Sequence, residues 1–457
     1  MSIKKPPESV YRAYDIRGIY KRDIDEDSAE SIGAAFARYI GAGKKVAFGY
    51  DVRNGSKAMG DRLLEAMSLN GLNVLNLGLV PTPVTYFAVM RYNLDGGIMV
   101  TASHNPKEWN GFKLFGAKGA VLGMGSGLED IKKLIESESA PESTGGSVSN
   151  YSDQIMQDYS YFILNKSKQQ RQEARQLRIG IDTGNGSYSI IAQKIMAAAG
   201  ITAFAINNIY DPEFSGRGPE PKESTMGDLS RLVVEKSLDF GVAFDADGDR
   251  AVFVDDKGSV IRGDVSLALF IKNLAKPADK IVYEVSCSKI VEDIISEIGA
   301  VPVPSRIGRR FILENMVREN ARLGGEISSH TYFAEMYNAD DALFSTLSMY
   351  NIVARSGKSM SQLISAMPHY ETAALEIPVQ EKEKHSIVES AKVRAEKQGY
   401  KLILIDGVKV IDGSWRFIIR ASNTSPAIRV LAESNTRHGL KTALEIAKSF
   451  LEYDGNQ

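Results

Sequence analysis

The chain has a single cysteine, Cys287, among 457 residues. That excludes an internal disulfide and any cysteine-built zinc site, and it fits a reducing compartment, so a cytoplasmic location is expected. An excess of one charge is also missing: Lys+Arg 55 against Asp+Glu 57 leaves a formal net charge of -2. A protein that grips a polyphosphate backbone needs a basic surplus, so nucleic acid is not an expected partner. Long apolar runs are absent too. The most apolar stretch, Ile190 to Ile206, is broken by Gln193, Lys194 and Gly200, whereas a spanning helix needs about 20 apolar residues. Residues Met1 to Pro7 carry no apolar core of the signal-peptide kind. No membrane association is expected. What is present, 43% hydrophobic and 25% charged residues, is the make-up of a globular chain whose length suggests about three domains.

Three segments follow one plan: a short apolar strand, a polar turn, an apolar-periodic helix, a glycine stop and a second apolar strand. The first starts at Lys45-Val46-Ala47-Phe48-Gly49, runs through Leu63, Leu64, Ala66 and Met67 to Gly71, and re-enters a strand at Val74-Leu75. The second starts at Arg178-Ile179-Gly180-Ile181, turns at Asp182 to Gly186, stops at Gly200 and resumes at Thr202-Ala203-Phe204. The third starts at Lys280-Ile281-Val282-Tyr283, carries Ile290, Val291, Ile294 and Ile295 on its helix, stops at Gly299 and resumes at Val301-Pro302-Val303. Each glycine reads as a helix C-cap. The units recur at spacings on the order of 100 residues, too long for a solenoid and right for whole domains. The expected fold class is therefore α/β, with three related βαβ-containing domains over 1–149, 150–254 and 255–367. A smaller α+β domain over 368–457 is read from strands at Thr372 to Val379, Leu402 to Val410 and Trp415 to Ile419 and a helix at Lys441 to Leu451. Glu136 to Asn150, rich in Ser, Gly, Glu and Pro, reads as a linker or surface loop.

In open α/β sheets, ligands meet the loops at the carboxyl ends of strands. After Gly97-Ile98-Met99-Val100 comes Thr101-Ala102-Ser103-His104-Asn105-Pro106, in which Ser103 is the natural nucleophile. Taken alone, the same residues also make an ordinary Asn-Pro turn. After Phe240 to Phe244 comes Asp245-Ala246-Asp247-Gly248-Asp249-Arg250. Three hard carboxylate donors at alternate positions, with a glycine to fold the backbone, suit Mg²⁺. A calcium EF-hand is disfavoured, because Arg250 stands where its glycine belongs and Asp256 where its glutamate belongs. Gly325-Glu326-Ile327-Ser328-Ser329-His330 offers acid, hydroxyl and imidazole for sugar hydroxyls or proton transfer, and reads equally as a capped helix start. Arg420-Ala421-Ser422-Asn423-Thr424-Ser425-Pro426-Ala427-Ile428-Arg429 sets guanidinium, hydroxyl and amide donors in one turn, which is how phosphate is held without a P-loop. The one P-loop lookalike, Gly357-Lys358-Ser359, fails because Ile352 occupies the required glycine position.

Together with Tyr14-Asp15-Ile16-Arg17-Gly18, these motifs resemble, in order and over essentially the whole chain, the α-D-phosphohexomutases, and most of all the phosphomannomutase/phosphoglucomutase branch. The resemblance implies four domains around a central cleft: a phosphoserine loop in the first, a metal loop in the second, a sugar loop in the third and a phosphate clamp in the fourth. It implies that Ser103 carries a phosphoryl group, with Mg²⁺ held by Asp245, Asp247, Asp249 and the serine phosphate. Arg17, Lys113 and His330 match family positions near the reacting hydroxyl, as candidates for proton transfer and charge stabilisation, and Arg250 is a further catalytic candidate; read by itself, Lys113 in Asn110-Gly111-Phe112-Lys113 is a snorkelling surface lysine. Tyr14, Gly308, Glu326 and Ser328 would meet the sugar, and Arg420, Ser422, Asn423, Thr424 and Arg429 the distal phosphate. The implied reaction interconverts hexose 1-phosphate and hexose 6-phosphate of mannose, glucose or both through a hexose 1,6-bisphosphate, which also serves as activator. The partners implied are small hexose phosphates, and the chain is expected to be a monomer or homodimer.

Departures from the pattern leave the sugar open, glucosamine phosphate included. Arg309 follows Gly308 where bifunctional members have histidine, and Ser286 precedes Cys287 where lysine is frequent. Ser329 replaces the usual glycine of the sugar loop, so the backbone there is expected to differ. The Ser-Asn-Thr form of the clamp favours the phosphomannomutase/phosphoglucomutase branch over the phosphoglucosamine one. Two other readings stand beside the mutase: a phosphosugar hydrolase with an aspartate of 245–249 as nucleophile, and a sugar-phosphate binder without chemistry.

Overall fold

The computed structural model describes residues 5–137, 145–169, 175–422 and 425–451. The chain forms two compact units, Met1–Ser266 with Ser328–Leu363 and Leu267–Ile327 with Ile364–Gln457.

In the first unit, six strands make one sheet: β1 (Ile16–Ile19), β2 (Lys45–Tyr50), β3 (Asn73–Leu79), β4 (Gly96–Val100), β5 (Trp109–Gly116) and β6 (Ser147–Asn150), in the order β1-β5-β4-β2-β3-β6. β2, β3, β4 and β6 run parallel, as strands joined by helical crossovers must, while β5 returns antiparallel to β4. The helices Glu26–Ile40 and Ser56–Leu69 lie together against the core of Phe36, Phe48, Leu63, Met67, Ile98 and Phe112. Gly33 permits their close approach, since a Cβ there would lie 2.7 Å from the Leu63 carbonyl oxygen. A second sheet comprises β7 (Arg178–Asp182), β8 (Thr202–Ile206), β9 (Phe240–Phe244) and β10 (Ala251–Val254), ordered β10-β9-β7-β8. Every residue of β9 is buried, so the turn that follows it is delivered from the middle of a core.

In the second unit, β11 (Lys280–Glu284) lies between β12 (Val301–Ser305) and β13 (Leu323–Gly325), all parallel. Pro302 and Pro304 fall on β12, where an edge position tolerates their missing N–H groups. The short strand β14 (Thr331–Phe333), which belongs to the first unit, carries His330 at its entry. The last five strands, β15 (Glu371–Pro378), β16 (Lys401–Ile403), β17 (Val408–Asp412), β18 (Trp415–Ala421) and β19 (Ala427–Ser434), form an antiparallel sheet ordered β15-β19-β18-β17-β16. Helices Lys384–Lys397 and Arg437–Leu451 pack on it through Ala391, Ala395, Ala443 and Phe450.

The three βαβ units stand where the periodicity put them, and three expectations need correction. Leu402 to Val410 is two strands of a hairpin, because Gly407 at φ 85 turns the chain between them. The helix Lys384–Lys397 and strand β19 had not been anticipated; the helix buries little besides alanine, so its apolar stripe is faint. The tail of the expected linker is β6, whose four residues are all exposed and which is held by main-chain pairing to β3 and not by side-chain burial. Residues 138–144 of that stretch lie outside the described residues. Among the described residues no helix is long and apolar enough to cross a membrane.

Candidate active site

The loop after β4 is held by an arginine that the sequence did not advertise. Arg53, 3% exposed, turns its guanidinium onto main-chain carbonyls of that loop, donating to Ser103 O, to Asn105 O (2.6 Å), to Pro106 O (2.8 Å) and to Trp109 O (3.1 Å). Its own charge is balanced by buried Asp51 at 3.3 Å, whose carboxylate also accepts from the Ser56 hydroxyl at 2.5 Å. Ser103 itself is buried and sits at φ 53, the left-handed region, with its amide bonded to Thr101 Oγ1 at 2.8 Å. A serine adopts this conformation at a cost on the order of 1 kcal/mol, which the surrounding contacts must offset. Arg17, on β1, joins the same loop through the Ala102 carbonyl (3.2 Å) and Asn105 Oδ1 (2.5 Å), and pairs with Asp15 at 2.6 Å.

The loop after β9 brings Asp245, Asp247 and Asp249 together, all at most 1% exposed, with one carboxylate oxygen from each within 4.8 Å of the others. One oxygen of each acid is used by the chain. Asp245 Oδ1 accepts from the amides of Gly248 and Arg250 (both 3.1 Å), Asp247 Oδ2 from Thr82 Oγ1 and Lys113 Nζ (both 2.6 Å), and Asp249 Oδ2 from Lys113 Nζ at 2.6 Å. The remaining three, Asp245 Oδ2, Asp247 Oδ1 and Asp249 Oδ1, are buried and accept no hydrogen bond. Buried carboxylate oxygens left in this state are costly, and three converging hard donors fit a divalent cation such as Mg²⁺. Gly248 makes the turn possible at φ 81, with the Tyr188 ring directly beneath it.

Electrostatics divide the three acids. Burial, then the charges of Asp249 and Asp247, push the Asp245 carboxyl well above the usual range. Burial is the largest influence on Asp247 and Asp249 too, yet Lys113 with the Thr82 hydroxyl at Asp247, and Lys113 with His330 and Arg250 at Asp249, together hold both below the usual range. Lys113 is thus no snorkelling surface residue: it is 8% exposed, and its ammonium bridges two aspartates.

Arg250 ties the serine loop to the aspartate loop. Its Nη2 lies 2.8 Å from His104 Nδ1, and its Nε donates to His330 Nε2 at 2.9 Å. Main-chain bridging pairs Arg250 with His330. His330 Nδ1 in turn lies 2.8 Å from Asp340 and 3.7 Å from Asp249. Burial, then the charges of Arg250 and Arg17, hold the His104 imidazole well below its usual pKa, so it is neutral. Ser329 corrects an expectation: although a serine, it keeps a glycine-type conformation at φ 70.

The second unit carries the other anticipated residues that belong to it. Register places Tyr283 opposite Gly325, so the residues that follow, Glu284 and Glu326, leave adjacent strand ends, buried to 1% and 5%. Burial, then Glu326, push the Glu284 carboxyl up to about 7, against the opposing help of the Ser286 hydroxyl at 2.5 Å, Arg420 and the Ile327 amide. An acid so raised contributes stability that is complete below its ordinary pKa and is lost as pH rises through about 7. Glu284→Gln is therefore expected to gain on the order of 2–3 kcal/mol over the native chain between about pH 5 and about pH 8. Urea midpoints at the two pH values check this.

Arg420 and Arg429 stand directly opposite each other on β18 and β19, Arg420 buried and Arg429 half-buried beside Glu376 at 3.2 Å. Ser422, buried, presents its carbonyl to Lys384 at 3.0 Å and its hydroxyl to Ser425 at 2.8 Å. Asn423 and Thr424 lie outside the described residues. Gly308, at φ 122, precedes helix Arg309–Glu319. Ser328 and Tyr14 belong to the first unit, Glu326 and Gly308 to the second. Arg53, Asp51, His104 and Asp340 were not among the anticipated site residues. Asp51-Val52-Arg53 follows the carboxyl end of β2, the first strand of a repeat, and that position was the available signal.

Four family models match in chain order: phosphoglucomutase/phosphomannomutase alpha/beta/alpha domain I over residues 8–142, domain II over 157–258, domain III over 262–370, and the C-terminal domain over 375–448. A phosphomannomutase of Methanocaldococcus jannaschii is 32% identical over 97% of both chains. The chain belongs to the phosphoglucomutase/phosphomannomutase family. A phosphomannomutase/phosphoglucomutase of Pseudomonas syringae is 31% identical, covering 95% of this chain and 93% of the relative. Among solved structures, a phosphoglucomutase/phosphomannomutase family protein of Burkholderia thailandensis superposes with TM-score 0.89 at 26% identity, covering 98% of this chain and 97% of that one. The four-part α/β architecture and the resemblance read from the motifs are those of this family, whose members are intramolecular phosphotransferases acting on hexose phosphates.

Proposed function

We propose that this family member is a Mg²⁺-dependent phosphohexomutase, interconverting the 1- and 6-phosphates of mannose, glucose or both through a phosphoserine at Ser103 and a hexose 1,6-bisphosphate. The observation that carries the reading is one cluster: a strained, buried serine loop joined through Arg250 and His104 to three aspartates with unclaimed oxygens. A hydroxyl nucleophile, a divalent-cation cage and paired cations are the parts that phosphoryl transfer needs, since its catalysis rests on positioning and charge.

Asp245, Asp247 and Asp249, with the serine phosphate, would hold the cation. When bound, Mg²⁺ supplies charge stabilisation to the transferring phosphoryl group. Arg17, Lys113 and Arg250 bring positive charge to the same group, and His330 takes or gives the proton of the reacting sugar hydroxyl. Tyr14, Gly308, Glu326 and Ser328 would contact the sugar. Arg420, Ser422, Asn423, Thr424 and Arg429 would hold the phosphate that is not reacting, with bisphosphate as activator. The segments 1–149, 150–254, 255–367 and 368–457 would supply serine, metal, sugar and phosphate loops in turn.

A ³¹P NMR time course tests this, with Mg²⁺, trace hexose 1,6-bisphosphate, and mannose 1-phosphate and glucose 1-phosphate in one tube. The 6-phosphates are expected to grow in without inorganic phosphate, and their relative rates report the preference that Arg309 and Ser286 leave open. Free phosphate as the main product would replace this reading with a hydrolase.

A further inference from the structure

We propose that Asp340 is a positioning residue for this site: its carboxylate fixes His330 as the Nδ1–H tautomer and so leaves Nε2 as the proton-accepting nitrogen. The catalytic consequence rests on the mutase reading; the tautomer does not. Two independent contacts select the same form. An ionised carboxylate has no proton to give, so the ring nitrogen 2.8 Å from Asp340 must carry one. On the opposite edge the Arg250 Nε–H always carries a proton, so Nε2, 2.9 Å away, must be the lone-pair nitrogen. The same guanidinium meets His104 at Nδ1, which makes that neighbour the reverse tautomer, protonated at Nε2. Which nitrogen of a histidine acts is set in this way by the bond its other nitrogen makes.

Asp340 is mounted to do this. It is fully buried, and its backbone bridges that of Tyr332. Its neighbour Asp341 caps helix Ala342–Ser356 through the amides of Leu343 and Phe344, both at 2.9 Å, and is gripped by the hydroxyls of Tyr159 (2.7 Å) and Tyr188 (2.8 Å). The amide of Ala342 donates to Gly248 O at 3.1 Å, so the segment carrying Asp340 is pinned to the aspartate loop. Asp249 also approaches Nδ1, but at 3.7 Å it is beyond hydrogen-bond range. In the proposed step, Arg250 vacates Nε2 and the sugar hydroxyl takes its place. The O–H bond breaks and an Nε2–H bond forms while the oxygen bonds phosphorus and the phosphorus–Ser103 Oγ bond breaks, its electron pair staying on Ser103 Oγ. In the return step Oγ takes the other phosphoryl group of the bisphosphate, and the sugar oxygen it leaves receives the Nε2 proton. The imidazolium so made is paired with Asp340.

The test uses full-length, Mg²⁺-loaded protein labelled with ¹⁵N at imidazole; five histidines are few enough to assign His330 by its loss in His330→Asn. Long-range ¹H–¹⁵N spectra are expected to show His330 protonated at Nδ1 and bare at Nε2. In Asp340→Asn, kcat is expected to fall ~10²–10⁴-fold, the range of a lost acid–base contribution, with KM changed little. Asp340→Ser serves if the amide variant does not fold. A merely structural Asp340 would lower thermal stability and raise KM without touching kcat or the tautomer. Native His330 protonated at Nε2, or a folded variant with native kcat, overturns the proposal. The spectra decide the geometric half even if hexose phosphates prove not to be substrates, so its failure and that of the mutase reading are told apart.

Discussion

Ser103→Ala is expected to abolish turnover, by at least about 10⁴-fold, while leaving the fold in place. The reaction proposed for this chain needs an oxygen that can take and return a phosphoryl group, and its neighbours offer no substitute. The Thr101 hydroxyl already accepts the amide of residue 103 at 2.8 Å, and that bond survives the substitution because it uses the main chain. Alanine at φ 53 bears the same backbone strain as serine, so the loop loses a hydroxyl and nothing else. Stability within about 0.5 kcal/mol of the native chain is expected, measured by urea unfolding. The variant should also fail to incorporate phosphate when incubated with labelled bisphosphate. Retention of turnover in Ser103→Ala would point to an aspartate nucleophile and hence to hydrolysis.

Much of the fold was legible because it repeats. Three short strands with apolar middles, each opened by a basic residue and followed by a turn and an apolar-periodic helix, could hardly be read otherwise, and β2, β7 and β11 lie where that pattern puts them. The aspartate loop was equally readable, since three acids at alternate positions after the buried strand β9 have few other uses. Less legible were features that depend on partners far apart in sequence. Lys113 on β5 looks like a surface lysine until the fold carries it to Asp247 and Asp249, at which point two buried carboxylates convert it into their counter-charge. Asp340 carried no signal in the sequence; it stands beside Asp341, the cap of helix Ala342–Ser356, and only the fold brings it to His330. Ser329 runs the other way. Its identity argues against a left-handed backbone, yet flanking contacts, the Arg250–His330 bridge among them, hold it at φ 70.

Arg53 gives the sharpest separation of structure from chemistry. Arg53→Met removes every guanidinium donor from the carbonyls of Ser103, Asn105, Pro106 and Trp109 and strips the buried Asp51 carboxylate of its counter-charge. Breaking a buried pair in this way costs about 3–5 kcal/mol, because the charge left behind has no solvent. Burial already pushes the Asp51 carboxyl up against the opposing pull of Arg53. Without the arginine it rises further, so the loss of stability should shrink as pH falls and the carboxyl takes up a proton. Activity should suffer independently, by roughly 10²-fold or more, since a nucleophile misplaced by about 1 Å is enough for that. Arg53→Lys is expected to rescue little, because one ammonium cannot span carbonyls that a planar fork reaches from two sides. The decisive variant pairs Arg53→Met with Asp51→Asn. Neutralising the stranded acid should restore most of the urea-unfolding stability, while kcat stays low because the serine loop still has nothing to hold its carbonyls. If kcat returned together with stability, Arg53 would be a partner for Asp51 alone and not the support of the serine loop.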